Sequence, residues 1–201
     1  MGGKRKEKIS QRSPMKNGGE DPKYYSALDD TMPISERIGI IVNKWGKCRL
    51  HIDNAGLQKT LKIFQDKYSK MLRWDITQVS LWDNHDEIVE LFKLFGKNLK
   101  STGSSKALHV LNPSFFAMWD YDIRHSGYGC SETEEGYFNF LLRSKKEIEE
   151  ILKTYINDYG RVNNPSEKLS KRIYSPYNGH TKTILKLLDE YNWAKYRKKW
   201  L

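Results

Sequence analysis

The chain has 201 residues, with 35 Lys and Arg against 25 Asp and Glu and a formal net charge of +10. That length suits one domain with a tail, and 6 Trp, 12 Tyr and 7 Phe supply the bulk for a sizeable core. No run approaches the roughly 18 apolar residues of a membrane span, and two cysteines, Cys48 and Cys130, are too few for a four-cysteine zinc or iron–sulfur site.

Residues 1–31 mix Lys, Ser, Gly and Pro with almost no aliphatic side chains and read as a disordered basic tail without a secretory signal. Residues 32–201 read as a single compact all-α domain. Pro33, followed by Ile34, Ile38, Ile41, Val42 and Trp45 at helical spacing, predicts the first helix. Asp53 or Asn54 caps the second, whose apolar stripe is Leu57, Leu61, Phe64, Tyr68 and Met71. Residues 74–82 fold back as a connection. Asp83 or Asn84 then caps a third helix with Ile88, Leu91, Phe92 and Phe95 on its inner face.

The pattern next predicts a loop over residues 97–105 with Gly103 as its hinge, then a short helix to Leu111. Asn112-Pro113 opens another short helix, since proline fits a first turn, and Asp120 caps the next. A long amphipathic helix runs from Glu132 to about Tyr155, and Asn163-Asn164-Pro165 marks a break. Residues 175–179 form a further loop. Thr181 leads a terminal helix carrying Ile184, Leu185, Leu188 and Tyr191. There is no β-alternation and no internal repeat.

The positive charge sits at the two ends. Residues 1–23 hold 7 basic and 3 acidic side chains and residues 161–201 hold 10 and 3, while the middle is nearly balanced. In the last stretch Trp193, Tyr196 and Trp200 interleave with Lys195, Arg197, Lys198 and Lys199. Cations mixed with rings suit a phosphate backbone with exposed bases. A wet amphipathic helix and an anionic membrane surface are the other readings of the same run.

Chemistry concentrates between Gly103 and Gly129. Gly103, Ser104 and Ser105 precede Lys106 at a predicted helix start, where unpaired N–H groups attract phosphate. Lys106 either binds that phosphate, serves as a nucleophile if burial lowers its pKa, or is an ordinary surface lysine. Asp120 follows Phe115, Phe116, Met118 and Trp119. It either caps its helix, worth roughly 1 kcal/mol, or faces a cleft and stabilises a developing cation. Arg124 and His125 either pair with Asp122 or grip a phosphate. Trp74, Trp82, Trp119, Tyr121 and Tyr128 either wall a base pocket or fill the core. The five histidines lack metal-ligand spacing, and no nucleotide-binding glycine loop occurs, so no metal and no cofactor are expected.

Glycine turn, helix with lysine, apolar segment, then aspartate opening a further helix: this order resembles the helix-hairpin-helix DNA glycosylase superfamily. The run W-D-Y-D-I-R from Trp119 to Arg124 is similar to that family's aspartate motif, so Asp120 takes the catalytic aspartate's place. The hairpin element matches Gly103 to Ala107, which sets the family's lysine position at Ser105 and leaves Lys106 one place late. One glycine stands where the family has two, and Asp122 stands where a histidine is common. The resemblance implies a glycosylase-like fold with DNA as partner, either duplex with a flipped base or single-stranded. It implies hydrolysis of the N-glycosidic bond of a damaged or modified base, with strand cleavage if Lys106 attacks the sugar. Gly103, Ser104 and Ser105 would hold the DNA backbone, and Arg124, His125, Lys195, Arg197 and Lys198 would add contacts.

The alternative is a non-catalytic nucleic-acid-binding helical protein in which Asp120 only caps. A helical interaction module with a basic tail is the third class. All three are expected to be intracellular, cytoplasmic or nucleoid-associated, in a reducing compartment.

Overall fold

Every regular element among the described residues, 22–174 and 181–201 of this computed structural model, is helical. The all-α expectation therefore holds for them, although several boundaries move. The first helix, α1 (Pro22–Leu28), lies inside the stretch expected to be a disordered tail. It buries Tyr24, Tyr25 and Ala27, and Tyr24 Oη donates to His109 Nε2 at 2.8 Å. Two aromatic rings outweigh their polar neighbours, so the ordered domain begins earlier than composition suggests. Residues 1–21 and the expected loop at 175–179 lie outside the described residues.

Helix α2 (Ile34–Gly39) runs into a wider π-helical turn, Ile40–Trp45, and buries Ile38, Ile40, Ile41 and Val42. Helix α3 (Asn54–Ile63) is capped as expected, Asp53 Oδ1 accepting from the Ala55 N–H at 3.0 Å. A π turn (Phe64–Tyr68) and a 3₁₀ turn (Ser69–Arg73) extend it. Its predicted stripe is buried throughout.

Helix α4 (His85–Leu111) differs most from expectation. Neither Asp83 nor Asn84 caps it through a side chain; Asn84 Nδ2 donates instead to the Ser80 carbonyl at 2.8 Å. Two helical stretches meet at Lys100 (φ 52°, ψ 179°), so the break expected within 97–105 is present but is a one-residue kink, three positions before Gly103. The rest of the expected loop stays helical because its polar residues satisfy themselves locally. Ser104 Oγ donates to the Lys100 carbonyl at 2.5 Å and Ser105 Oγ to the Thr102 carbonyl at 3.0 Å. Gly103 is a packing glycine: a Cβ there would stand 3.0 Å from Leu50 and 3.2 Å from Leu99.

Asn112-Pro113 opens a turn instead of a helix. The asparagine is the reason, since Nδ2 donates to the Met71 and Trp74 carbonyls at 2.7 and 2.8 Å while Oδ1 accepts from Ser114 N–H. These bonds tie the end of α4 to the bend after α3. Residues 116–120 follow without regular structure.

Helix α5 (Glu134–Tyr159) is capped by Thr133 and ends at Gly160, whose φ of 82° suits glycine. Helix α6 (Pro165–Ile173) begins on the proline. Helix α7 (Ile184–Asn192) is capped by Thr183, two residues after the expected Thr181, and passes into a π turn, Trp193–Arg197. Helices α4 and α5 pack together at the centre, with α2 and α3 on α4 and with α6 and α7 on α5. An aromatic knot marks their contact: Phe92 stacks on Tyr137 at 4.1 Å, and the buried Trp119 meets both edge-on.

Candidate nucleic-acid interface

Asp120 starts a short helical stretch in its capping role. Its Oδ1 accepts from the Ile123 N–H at 3.0 Å and its carbonyl from the Arg124 N–H at 2.9 Å. The π turn Ile123–Gly127 follows. Arg124 is only 7% exposed: its guanidinium lies over the Trp119 and Tyr121 rings and donates to Glu132 at 2.7 Å. It therefore braces the segment. Tyr121 is 60% exposed and stacks on the exposed His125, with centroids 5.3 Å apart and rings 19° from parallel.

The C-terminal run packs against this segment. Asn192 Nδ2 donates to Tyr128 Oη at 2.7 Å, and that hydroxyl donates to Glu147 at 2.6 Å, which joins α7, the Asp120 segment and α5. Burial, then Glu147, pushes the Tyr128 phenol up, so it stays a donor. Tyr196 lies over Gly127, where a Cβ would come within 2.7 Å of its ring. Arg197 Nη1 reaches Asp122 Oδ2 at 2.9 Å.

Beyond that joint the surface is basic and aromatic. Lys195 Nζ sits over the Tyr191 and Tyr196 rings, and Lys198 Nζ lies 4.9 Å from the Trp193 centroid and 6.0 Å from that of Trp200. Trp193 and Trp200 stand at right angles, 5.7 Å apart, and Trp200 is 61% exposed. Among the described residues, no carboxylate lies within ion-pair distance of Lys195 or Lys198. Lys198, and Lys195 hydrogen-bonded to the Tyr196 and Tyr191 hydroxyls, thus stand without carboxylate partners beside rings, which suits this surface to an anionic ligand.

The other predicted site residues are arranged differently. Gly103, Ser104 and Ser105 were expected to form an open backbone cradle, but all three are buried within α4. Ser105 Oγ also accepts from the Trp119 N–H at 3.3 Å, which leaves nothing for a phosphate. Lys106 is 7% exposed, its stem packed against Gly46 and its Nζ 5.7 Å from the Trp45 centroid. It makes no ion pair with Asp120, whose Oδ2 lies 3.7 Å from Arg197. Of the proposed aromatic wall, Trp119 and Tyr128 are buried, whereas Trp82 and Tyr121 are exposed at separate places.

One polar cluster escaped sequence reasoning. Lys186 Nζ, deep beside Tyr24 and Trp45, contacts Asp189 Oδ2 at 2.7 Å and Glu190 Oε1 at 3.5 Å. Burial opposes its charge, but Asp189 and Glu190 outweigh that and raise its pKa. Next to it His109 Nδ1–H donates to the Phe116 carbonyl at 2.7 Å, so Nε2 is free to accept from Tyr24. Burial first, and Lys186 further, pull the His109 pKa down to about 4. The spacing Lys186, Asp189, Glu190 was the available signal, being three and four residues apart on one helix. The cluster ties α1 to α7, its lysine 3% exposed and its carboxylates reaching the surface at the edge.

A cleft of about 720 Å³ lies between the 75–78 bend, the start of α6 and the 181–184 segment. Much of its polar lining is spent internally: Asp75 accepts from Thr77, Thr183 Oγ1 donates to the Pro113 carbonyl, and Lys182 pairs with Glu190.

Among the described residues, fold and surface together define a helical domain with a basic, aromatic C-terminal surface. No protein-family model matches the chain, and no curated protein and no solved structure matches it either.

Proposed function

We propose that this chain is a nucleic-acid-binding protein, with DNA as the partner its surface chemistry fits. The carrying observation is that the 123–127 turn, beside the Tyr121–His125 stack, packs on the 193–197 turn, which adjoins Lys198 and Trp200 and carries Lys195, with Arg197 bonded to Asp122 across the joint. Lysines without carboxylate partners release counterions when they meet phosphates, which supplies affinity independent of sequence. Tyr196 over Gly127 and the Asn192–Tyr128 bond hold those lysines on a fixed support. Binding is tested by fluorescence anisotropy across a salt series. The logarithm of affinity should fall linearly with the logarithm of salt, and Lys195→Ala with Lys198→Ala should flatten the slope by about 1–2. Salt-independent binding, or none at low salt, removes this reading.

Base excision is the second reading, favoured by one feature. Asp120 spends Oδ1 on its cap, yet its side chain stays 21% exposed with Oδ2 turned towards Arg197. A carboxylate so held can stabilise an oxocarbenium-like sugar as the base departs, with water adding to the sugar carbon. Lys106, covered by Trp45, takes no part, so no lysine adduct forms. A panel of lesion-bearing oligonucleotides followed by alkali cleavage tests it. Product that disappears in Asp120→Asn supports excision, and an intact panel ends it.

A further inference from the structure

We infer that the C-terminal face takes an unpaired strand, its bases stacking on the exposed rings while the lysines beside those rings hold the phosphates. This rests on the nucleic-acid-binding reading and specifies its ligand. A duplex turns its π faces inward and offers cations only phosphates and groove edges, so rings on a protein surface gain little from it. An unpaired strand offers both a charge and a flat face at each nucleotide.

The geometry brings charge and ring together. Lys198 Nζ adjoins both Trp193 and Trp200, and Lys195 Nζ adjoins both Tyr191 and Tyr196, so each ammonium lies beside two rings. Trp200 meets Trp193 edge-on, has Lys198 Nζ 6.0 Å from its centroid, and donates its backbone N–H to the Ala194 carbonyl. At 61% exposed, it leaves ring surface for a base. Across the Arg197–Asp122 joint, Tyr121 and His125 are already stacked near-parallel, and a base can lengthen that stack. Asp120 and Asp122 sit on the same side and would repel a second phosphate ridge, which further disfavours a duplex lying across the face.

The test uses the full chain. Anisotropy is measured with labelled oligothymidylate and with a duplex of equal length, alongside quenching of intrinsic tryptophan fluorescence. The strand should bind about tenfold tighter and quench the signal. Trp200→Ala and Tyr121→Ala should each weaken strand binding by about tenfold and leave duplex binding unchanged; both positions are exposed, and thermal melts confirm folding. Lys195→Ala with Lys198→Ala should weaken both ligands. Equal affinity for strand and duplex overturns this inference and leaves nucleic-acid binding standing, whereas binding to neither overturns both. Phosphatidylserine vesicles that displace the strand and quench tryptophan more strongly overturn it in favour of a membrane surface.

Discussion

Arg197 Nη1 lies 2.9 Å from Asp122 Oδ2 and 3.7 Å from Asp120 Oδ2. The acidic motif and the basic C-terminal run are thus two halves of one surface, although 75 positions separate Arg197 from Asp122 in sequence. Both partners of the shorter pair are substantially exposed, so the pair contributes little to stability. Its larger effect is to hold one cation away from phosphate. Asp122→Asn should raise affinity for oligothymidylate a few-fold and steepen the salt slope by about 1, as Arg197 becomes available. Unchanged affinity with an unchanged melting temperature would show that Arg197 never reaches the ligand.

The cap at Asp120 gives a separable effect. Asparagine can accept from the Ile123 N–H as aspartate does, but alanine cannot. Asp120→Ala should cost about 1 kcal/mol in urea unfolding, and Asp120→Asn only a few tenths. If Asn is as damaging as Ala, the charge beside Arg197 matters more than the cap.

Lys186 carries the heaviest expected penalty. Its removal strands Asp189, which is bonded to the ammonium at 2.7 Å in a nearly closed site, while Glu190 keeps Lys182 at 2.8 Å. Lys186→Ala should therefore destabilise by about 3 kcal/mol, the lower end for breaking a buried pair. A urea midpoint within experimental scatter of wild type would mean that water or a rotated side chain replaces the lysine.

The helical stripes were legible because burial at three- and four-residue spacing depends on local sequence. Leu57, Leu61 and Phe64 lie as their pattern predicts, and so does Asp53 as a cap. Errors arose where a side-chain bond, local or distant, decides the outcome. Ser104 and Ser105 look like loop residues until their hydroxyls are seen bonded inside α4. Asn112 looks like a helix start until the Met71 and Trp74 carbonyls claim its amide. Tyr24 and Tyr25 look like tail residues until His109 and Lys186 are placed beside Tyr24. For the site, the residue types of the C-terminal run were readable, but their partner surface at Tyr121–Gly127 was not. No periodicity links positions so far apart.

Acid should loosen the fold through His109. The Tyr24 hydroxyl donates to Nε2 and Nδ1–H is spent on the Phe116 carbonyl, so the folded site has no room for a second ring proton. With its pKa pulled down to about 4 from the ordinary imidazole value of about 6.5, the ring stays neutral in the fold while the unfolded chain binds a proton below about pH 6.5. The stabilisation is complete above that pH and is lost as the pH falls towards 4. Between pH 7 and 5 the loss is about 2 kcal/mol, before most carboxylates titrate. His85 works in the opposite direction: Glu135, then Asp86, raise its pKa, so its contribution is greatest below its unfolded pKa, but it is solvent-screened and small. Urea unfolding at both pH values should reveal the fall. His109→Gln should be less stable than wild type at pH 7 and nearly flat between the two. A wild type already flat, or a variant that keeps the slope, would place the titration on another group.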